Sequence, residues 1–271
     1  MSRTAASAPY FTRAIVLRVR PLGEKDRVLT LFSPERGKFS AAARGARATK
    51  SKLAAISQPF MRGKFLLAHG RSLDILRQGE IERAPLSISG DVIKSAWATY
   101  WCELCDALPE DHAESEIWEL LDSALEELET RETSSAETIG RWFEARFLGF
   151  LGFSPTIGRC VVCDTKIVLA ADEVSRRVAF SPVRGGTLCA NCVRFDSERQ
   201  EPSAQALRVW HRLERAETAP NALGSDQSTL HTALSAADAR DLRDVLRRSI
   251  ALHLEVRLRS LRFLDDVTSG V

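Results

Sequence analysis

Ala14-Ile15-Val16-Leu17-Arg18-Val19, Arg27-Val28-Leu29-Thr30-Leu31-Phe32 and Lys38-Phe39-Ser40-Ala41-Ala42-Ala43 follow one another near the start of the chain. Pro21 and Gly23 separate the first run from the second, and Ser33-Pro34-Glu35-Arg36-Gly37 separates the second from the third. Apolar, β-branched runs of this length between Pro/Gly turns read as strands, the second and third as a hairpin. Two more segments follow, from about Phe60 to Ala68 and, after His69-Gly70, from Ser72 to Arg77. Five short strands before residue 84 suit a small closed β-barrel.

From Pro85 onward the apolar period changes from two to three and four, the mark of helices. Ile93, Trp97, Trp101, Leu104 and Leu108 form a stripe on a helix expected over Ile88–Leu108. A second helix is expected over Glu114–Glu129. A third opens with the capping-box pattern Ser134-Ser135-Ala136-Glu137 and runs to about Leu151. Downstream, Ser203–Glu217 reads as helix, Ala219–Ser225 as loop, and Ser235-Ala236-Ala237-Asp238 as the cap of a last helix reaching about Leu264. Within that last helix Leu252, Leu254, Val256 and Leu258 alternate with polar residues, which is a strand period. No Gly or Pro intervenes, so the helix is expected to continue. An oligonucleotide/oligosaccharide-binding (OB) barrel fits the first segment best, and an SH3-like barrel would read similarly.

Between the helical stretches stand Cys160-Val161-Val162-Cys163 and Cys189-Ala190-Asn191-Cys192. Two C-x-x-C pairs supply the four soft ligands of a closed tetrahedral Zn²⁺ site, which leaves no open position for catalysis. Gly158 precedes one pair and Gly185-Gly186 the other, allowing the backbone to curl close to the sulfurs. A disulfide pair and a redox dithiol are the rival readings. In the spacer, Lys166–Leu169 and Arg177–Phe180 are expected as the strands of a ribbon hairpin. A third pair, Cys102 and Cys105, falls on the apolar stripe of a helix and reads as two small buried hydrophobes. The expected class is α+β, with segments 1–83 (basic barrel), 84–155 (helical), 156–195 (zinc ribbon) and 196–271 (helical).

Charge divides the chain in the same way. Residues 1–83 hold 17 Lys and Arg against 6 Asp and Glu, whereas residues 84–153 hold 4 against 15. A basic barrel points to a polyanion, with nucleic acid as the leading candidate. Arg18, Arg20, Lys25 and Arg27 lie on the first strands, Arg36 and Lys38 at the hairpin, and Arg44, Arg47, Lys50 and Lys52 in a segment without apolar periodicity. That last segment is expected to be a mobile loop wrapping phosphates, with little sequence preference. Phe32, Phe39, Phe60 and Phe65 could stack on bases, although period-2 placement turns several into the core. The five histidines are scattered, and no phosphate loop or dinucleotide fingerprint occurs, so no catalysis is expected. No apolar run approaches membrane-spanning length, and Met1–Tyr10 lacks an apolar core, so the chain is expected to be cytoplasmic with reduced thiols.

Several segments carry a resemblance: Lys38 through Gly45-Ala46-Arg47, Gln58-Pro59-Phe60, Arg141-Trp142-Phe143-Glu144 with Phe147–Gly152, Phe180-Ser181-Pro182 with Gly185-Gly186 before Cys189, and Arg259–Leu264. With the order of barrel, helical body and cysteine ribbon, the chain resembles the RecO family of bacterial recombination mediators over nearly its whole length. The resemblance implies a DNA repair protein of the RecF pathway without enzymatic activity. It implies binding of single- and double-stranded DNA, annealing of complementary strands, pairing with RecR, and engagement of the acidic tail of single-stranded-DNA-binding protein so that RecA can replace it. Arg141 matches an arginine of the family's third helix and is the candidate for that tail, with Phe143 and Phe147 beside it. The competing reading is a zinc-ribbon transcription or interaction adaptor whose barrel binds protein, with a nuclease as a third.

Overall fold

The structure, a computed structural model, describes residues 8–70, 72–110, 113, 115–169, 176–220, 234–254 and 256–268. The expected helix start at Glu114, the ribbon tip at 170–175 and the loop from 221 to Ser225 fall outside them. The chain forms two compact units, residues 1–133 with 258–271, and residues 134–257. The second unit is thus an insertion in the first. This division groups the first helices with the barrel, whereas the charge blocks put a boundary at residue 84.

Five strands close the barrel of the first unit: β1 (Tyr10–Leu22), β2 (Asp26–Ser33), β3 (Gly37–Ala43), β4 (Arg62–Ala68) and β5 (Asp74–Arg83), in the order β1-β2-β3-β5-β4. The long β1 pairs with β4 through its first half and with β2 through its second, which bends it around the barrel. The closing β3–β5 pair is parallel, Ala41 opposite Asp74 and Ala42 opposite Ile75. Closure in this order makes the barrel OB-like.

Alternation fills the interior as expected. Ala14 and Val16, Leu29 and Leu31, Phe39, Ala41 and Ala43, Phe65 and Leu67, and Leu76 point inward. The β3–β4 connection adds Ala46, Ile56 and Met61 to that core. Gly79 makes room for it, since a Cβ there would stand 2.6 Å from Ile56 Cγ1. The 44–60 segment is therefore not the free loop expected from its missing periodicity. Its backbone closes turn upon turn, Ala48 N to Gly45 O, Ser51 N to Ala48 O and Ala54 N to Ser51 O, while Ala46 and Ile56 anchor it inside.

Helices α1 (Leu86–Gly90), α2 (Val92–Asp106) and α3 (Ser115–Thr130) follow in the same unit. Asp91 breaks the single expected helix in two, and its carboxylate caps α2 by accepting from Ile93 N at 2.8 Å and Lys94 N at 3.0 Å. Trp97, Trp101, Cys102, Leu104 and Cys105 are buried along the expected stripe. Burial pushes both thiols of α2 up in pKa, so they behave as the small hydrophobes expected. Arg62 of β4 donates to Asp122 and Glu126 of α3, and Trp118 Nε1 donates to the Phe32 carbonyl at 3.0 Å.

In the second unit α4 (Ala136–Phe150), α5 (Ala204–Arg215) and α6 (Ala236–Leu254) pack together. A 3₁₀ turn over Thr133–Ser135 precedes α4, and Ser135 rather than Ser134 occupies the cap position without a side-chain bond, so the expected capping box does not form there. At α6 it does: Ser235 Oγ accepts from Asp238 N at 3.1 Å. The last helix is not continuous to Leu264. It ends at Leu254, and α7 (Ser260–Thr268) begins anew in the first unit, where Arg259 N and Ser260 N donate to the Glu103 carboxylate. The strand-period stretch was the interruption itself.

Candidate metal centre and nucleic-acid interface

The ribbon is built from two tight turns that bring sulfurs together. At the first, Asp164 N donates to Cys160 O at 2.8 Å and Cys160 N to Thr165 O at 2.9 Å, while Gly158 takes φ +87°. At the second, Cys192 N and Val193 N both donate to Cys189 O. The hairpin lies elsewhere than expected. Short strands β6 (Phe180–Ser181) and β7 (Gly186–Thr187) pair directly before the second turn, whereas among the described residues Lys166 bridges to Arg159 and Arg177 to Ser203. Thr187 then ties the two turns: its carbonyl accepts from Val161 N and its hydroxyl donates to Arg159 O at 2.7 Å. A Cβ at Gly186 would meet Val161 Cγ1 at 2.4 Å, so only glycine admits this approach.

Cys160, Cys163, Cys189 and Cys192 converge with their sulfurs all within 4.8 Å of one another, the Cys163–Cys189 pair at 3.6 Å. A tetrahedral ion with bonds of about 2.3 Å places ligand sulfurs about 3.8 Å apart, so the donor set fits a soft divalent metal. All six cysteines are free, and 3.6 Å is too long for a disulfide. Desolvation pushes the Cys160 thiol up, but backbone N–H groups of Cys189, Val162 and Cys163 outweigh it and bring it to about 6. Desolvation and the neighbouring sulfurs push Cys192 up to about 12. Four thiolates crowded together cannot all ionise unaided, and a bound dication removes that conflict.

The ten cationic candidates on the barrel separate into two groups. Arg20, Lys25, Arg44 and Arg47 lie exposed at the β1–β2 end, and Lys50 and Lys52 are exposed in the segment that follows. Asp26 brings this end together by accepting from Gly45 N at 2.7 Å, and Arg47 bonds to the β1–β2 turn through its N–H to Lys25 O and its guanidinium to Gly23 O. Gly45 sits at φ +66°, which favours glycine. Glu24 is the exposed carboxylate of the same turn.

The other four are engaged. Arg27 donates to Ala54 O, Ser57 O and Ser57 Oγ, pinning the 44–60 segment from beneath. Arg36 pairs with Asp74 at 2.8 Å and lies over the Phe39 ring, while Tyr10 and His69 also bond Asp74. Lys38 is held by the Asp106 carbonyl and carboxylate, and Arg18 pairs with Asp106 at 3.0 Å.

The phenylalanines and the third-helix arginine do not reach the surface. Phe32, Phe39, Phe60 and Phe65 are all buried, so none offers a face to a base. The exposed barrel phenylalanine is instead Phe11, 73% accessible on β1. Its place in the outward register of Phe11 and Arg13 was the available signal. Arg141, Phe143 and Phe147 lie inside the second unit, Arg141 only 2% accessible and bonded to the fully buried Glu144. The rings of Phe143 and Phe147 stack at 5.7 Å in that core. An apolar-floored surface pocket around Arg141 is thus corrected to an internal ion pair, because Glu144 one turn on supplies its counter-charge. Among the described residues no helix is long and apolar enough to cross a membrane.

Two family models cover the chain, Recombination protein O N terminal over residues 8–85 and Recombination protein O C terminal over residues 89–262. Among curated relatives, the DNA repair protein RecO of Symbiobacterium thermophilum is 35% identical over 97% of this chain and 99% of its own. The DNA repair protein RecO of Desulforudis audaxviator is 35% identical over 94% and 96%, and that of Synechococcus elongatus 33% over 100% and 98%. With two family models covering nearly the whole chain and full-length relatives at 33–35% identity, the chain belongs to the RecO family.

Proposed function

We propose that this protein is a DNA repair and recombination mediator that binds single- and double-stranded DNA through the exposed cationic end of its barrel and anneals complementary strands. The reading is carried by the exposed Arg20, Lys25, Arg44 and Arg47 around the β1–β2 turn, with exposed Lys50 and Lys52 in the segment that follows. Family membership and the names of the relatives support it. No bond is made or broken. Phosphates neutralised on two strands repel less, and base pairing drives the rest. The absence of stacking phenylalanines at that end favours contact without sequence preference.

In this reading Zn²⁺ fills the cysteine centre as a structural ion. RecR and the acidic tail of single-stranded-DNA-binding protein are the protein partners, RecA follows onto the cleared strand, and the protein works in the cytoplasm. The tail contact is not placed at Arg141, whose charge is answered internally.

Replacing Arg44, Arg47, Lys50 and Lys52 together by alanine tests the interface. Six phosphate contacts give a slope of log K against log salt of about −4 for single strands, and losing four brings it to about −1.5. Annealing of strands coated with single-stranded-DNA-binding protein should fall in parallel. An unchanged slope and unchanged annealing would refute the reading, and strict sequence preference would favour a transcription adaptor.

A further inference from the structure

We infer that Leu22, at the β1–β2 turn, is a wedge that enters between bases where paired DNA gives way to a single strand, so that the cationic barrel end reads a junction as well as phosphates. The inference rests on the DNA-binding reading above and deepens it by naming the DNA structure that the site takes.

Leu22 ends β1 and pairs with Asp26, the first residue of β2, which leaves Gly23, Glu24 and Lys25 to turn the chain. Pro21 and Leu22 are both exposed, Leu22 at 44%. The barrel core takes Val19 and Leu29 from the same two strands but not Leu22. The surroundings of this leucine are cationic. Arg20 lies two residues back on its side of β1, Lys25 closes the turn, and Arg44 follows Ala43, the β3 residue that pairs with Arg27. Glu24 is the carboxylate of the turn, and Asp26 is taken up by Gly45 N.

The turn is held in place. Arg47 donates from its guanidinium to Gly23 O at 3.0 Å and from its backbone N–H to Lys25 O at 2.9 Å. The segment that carries Arg47 is anchored in the barrel core by Ala46 and Ile56. Pro21 fixes φ immediately ahead of Leu22. An apolar side chain on so constrained a backbone stays in the solvent instead of folding away from it.

A leucine ringed by cations fits a ligand that is anionic at its rim and apolar within. Nucleic acid has that arrangement, with phosphates outside and base faces inside. A protein face is held by burying far more apolar area than Pro21 and Leu22 offer, whereas one leucine fills the gap between two parted bases. Parting a base step costs least where pairing already stops, at the edge of a gap or the fork of two annealing strands. The wedge therefore selects a DNA structure and not a sequence.

The test uses the full chain and a gapped duplex with 2-aminopurine as the first paired base beside the gap, a base that brightens when unstacked. Wild type should raise the fluorescence about twofold and prefer the gapped duplex over the corresponding single strand. Leu22→Ala should lose most of the rise and at least threefold of the preference, while Leu22→Met, which keeps an apolar side chain of similar size, should retain both. An alanine variant with the wild-type rise would overturn the inference, as would equal loss in the methionine variant. So would an alanine variant normal on bare DNA but defective on strands coated with single-stranded-DNA-binding protein, which would assign Leu22 to a protein contact. A wild-type chain that binds single strands but leaves 2-aminopurine dark would overturn the wedge alone. Failure to bind any DNA would strike the barrel reading and the wedge together.

Discussion

The barrel and the cysteine ribbon are held together by opposite means. The barrel encloses Ala14, Val16, Leu29, Leu31, Phe39, Phe65, Leu67 and Leu76 and is closed upon itself by backbone pairing. The ribbon's buried cluster is Cys160, Leu188 and Cys192, two of the three being members of the four-cysteine centre. One region is stable by burying apolar area, the other has too little of it to hold two turns face to face. Surface charge on the barrel can therefore be varied without loss of fold, whereas the ribbon is expected to depend on an ion held by its four sulfurs.

The largest effect expected is at Cys160→Ser. Structural zinc contributes on the order of 10 kcal/mol to such sites, so metal content should drop and the second unit's melting transition should broaden or vanish in calorimetry. A barrel transition that survives would establish the contrast, and an unaltered ribbon in the presence of chelator would break it. Next comes Phe65→Ala, the converse experiment. It should cost the barrel about 3–5 kcal/mol, measured by urea unfolding, while the metal content stays unchanged.

Arg141→Ala lies between the two kinds of cohesion. It leaves Glu144 buried without its nearest cation and should destabilise the second unit by about 3 kcal/mol, softened by Arg247 at 4.0 Å. Selective loss of a partner with unchanged stability would restore a surface role. Asp74→Asn should have the smallest effect, about 1 kcal/mol at neutral pH. Burial acts to raise the Asp74 pKa, but bonds from Tyr10 and Arg36 prevail and hold it below 3.8. The stabilisation is thus present above the unfolded value and disappears as pH falls through the folded one. The gap between mutant and wild type should be constant above about pH 5 and close below about pH 4, as thermal melts would report.

The barrel was legible because its strands are short apolar, β-branched runs bounded by turn residues, Pro21 and Gly23 after the first and Ser33–Gly37 after the second. The cysteines were legible because ligand spacing is local. What lay beyond the sequence was long-range. Arg27, Arg36 and Lys38 look like any other cation on a basic strand until Ser57, Asp74 and Asp106 are brought beside them. The ribbon strands were misplaced because the tight turns at the two cysteine pairs, rather than side-chain alternation, shape that backbone. The break after Leu254 was overlooked for a related reason: it carries no Gly or Pro, and the cap that starts the next helix, Glu103, lies far back in the chain.

That cap has a consequence for synthesis. On a ribosome α2 emerges long before α7, the helix that packs on it, and all of the inserted unit must be translated in between. The Glu103 carboxylate waits through that interval for the amides of Arg259 and Ser260. The nascent barrel can close early and the contiguous second unit can fold as it is made, but the first unit is completed last. Helix α7 can pack on α2 only once everything between them has been translated.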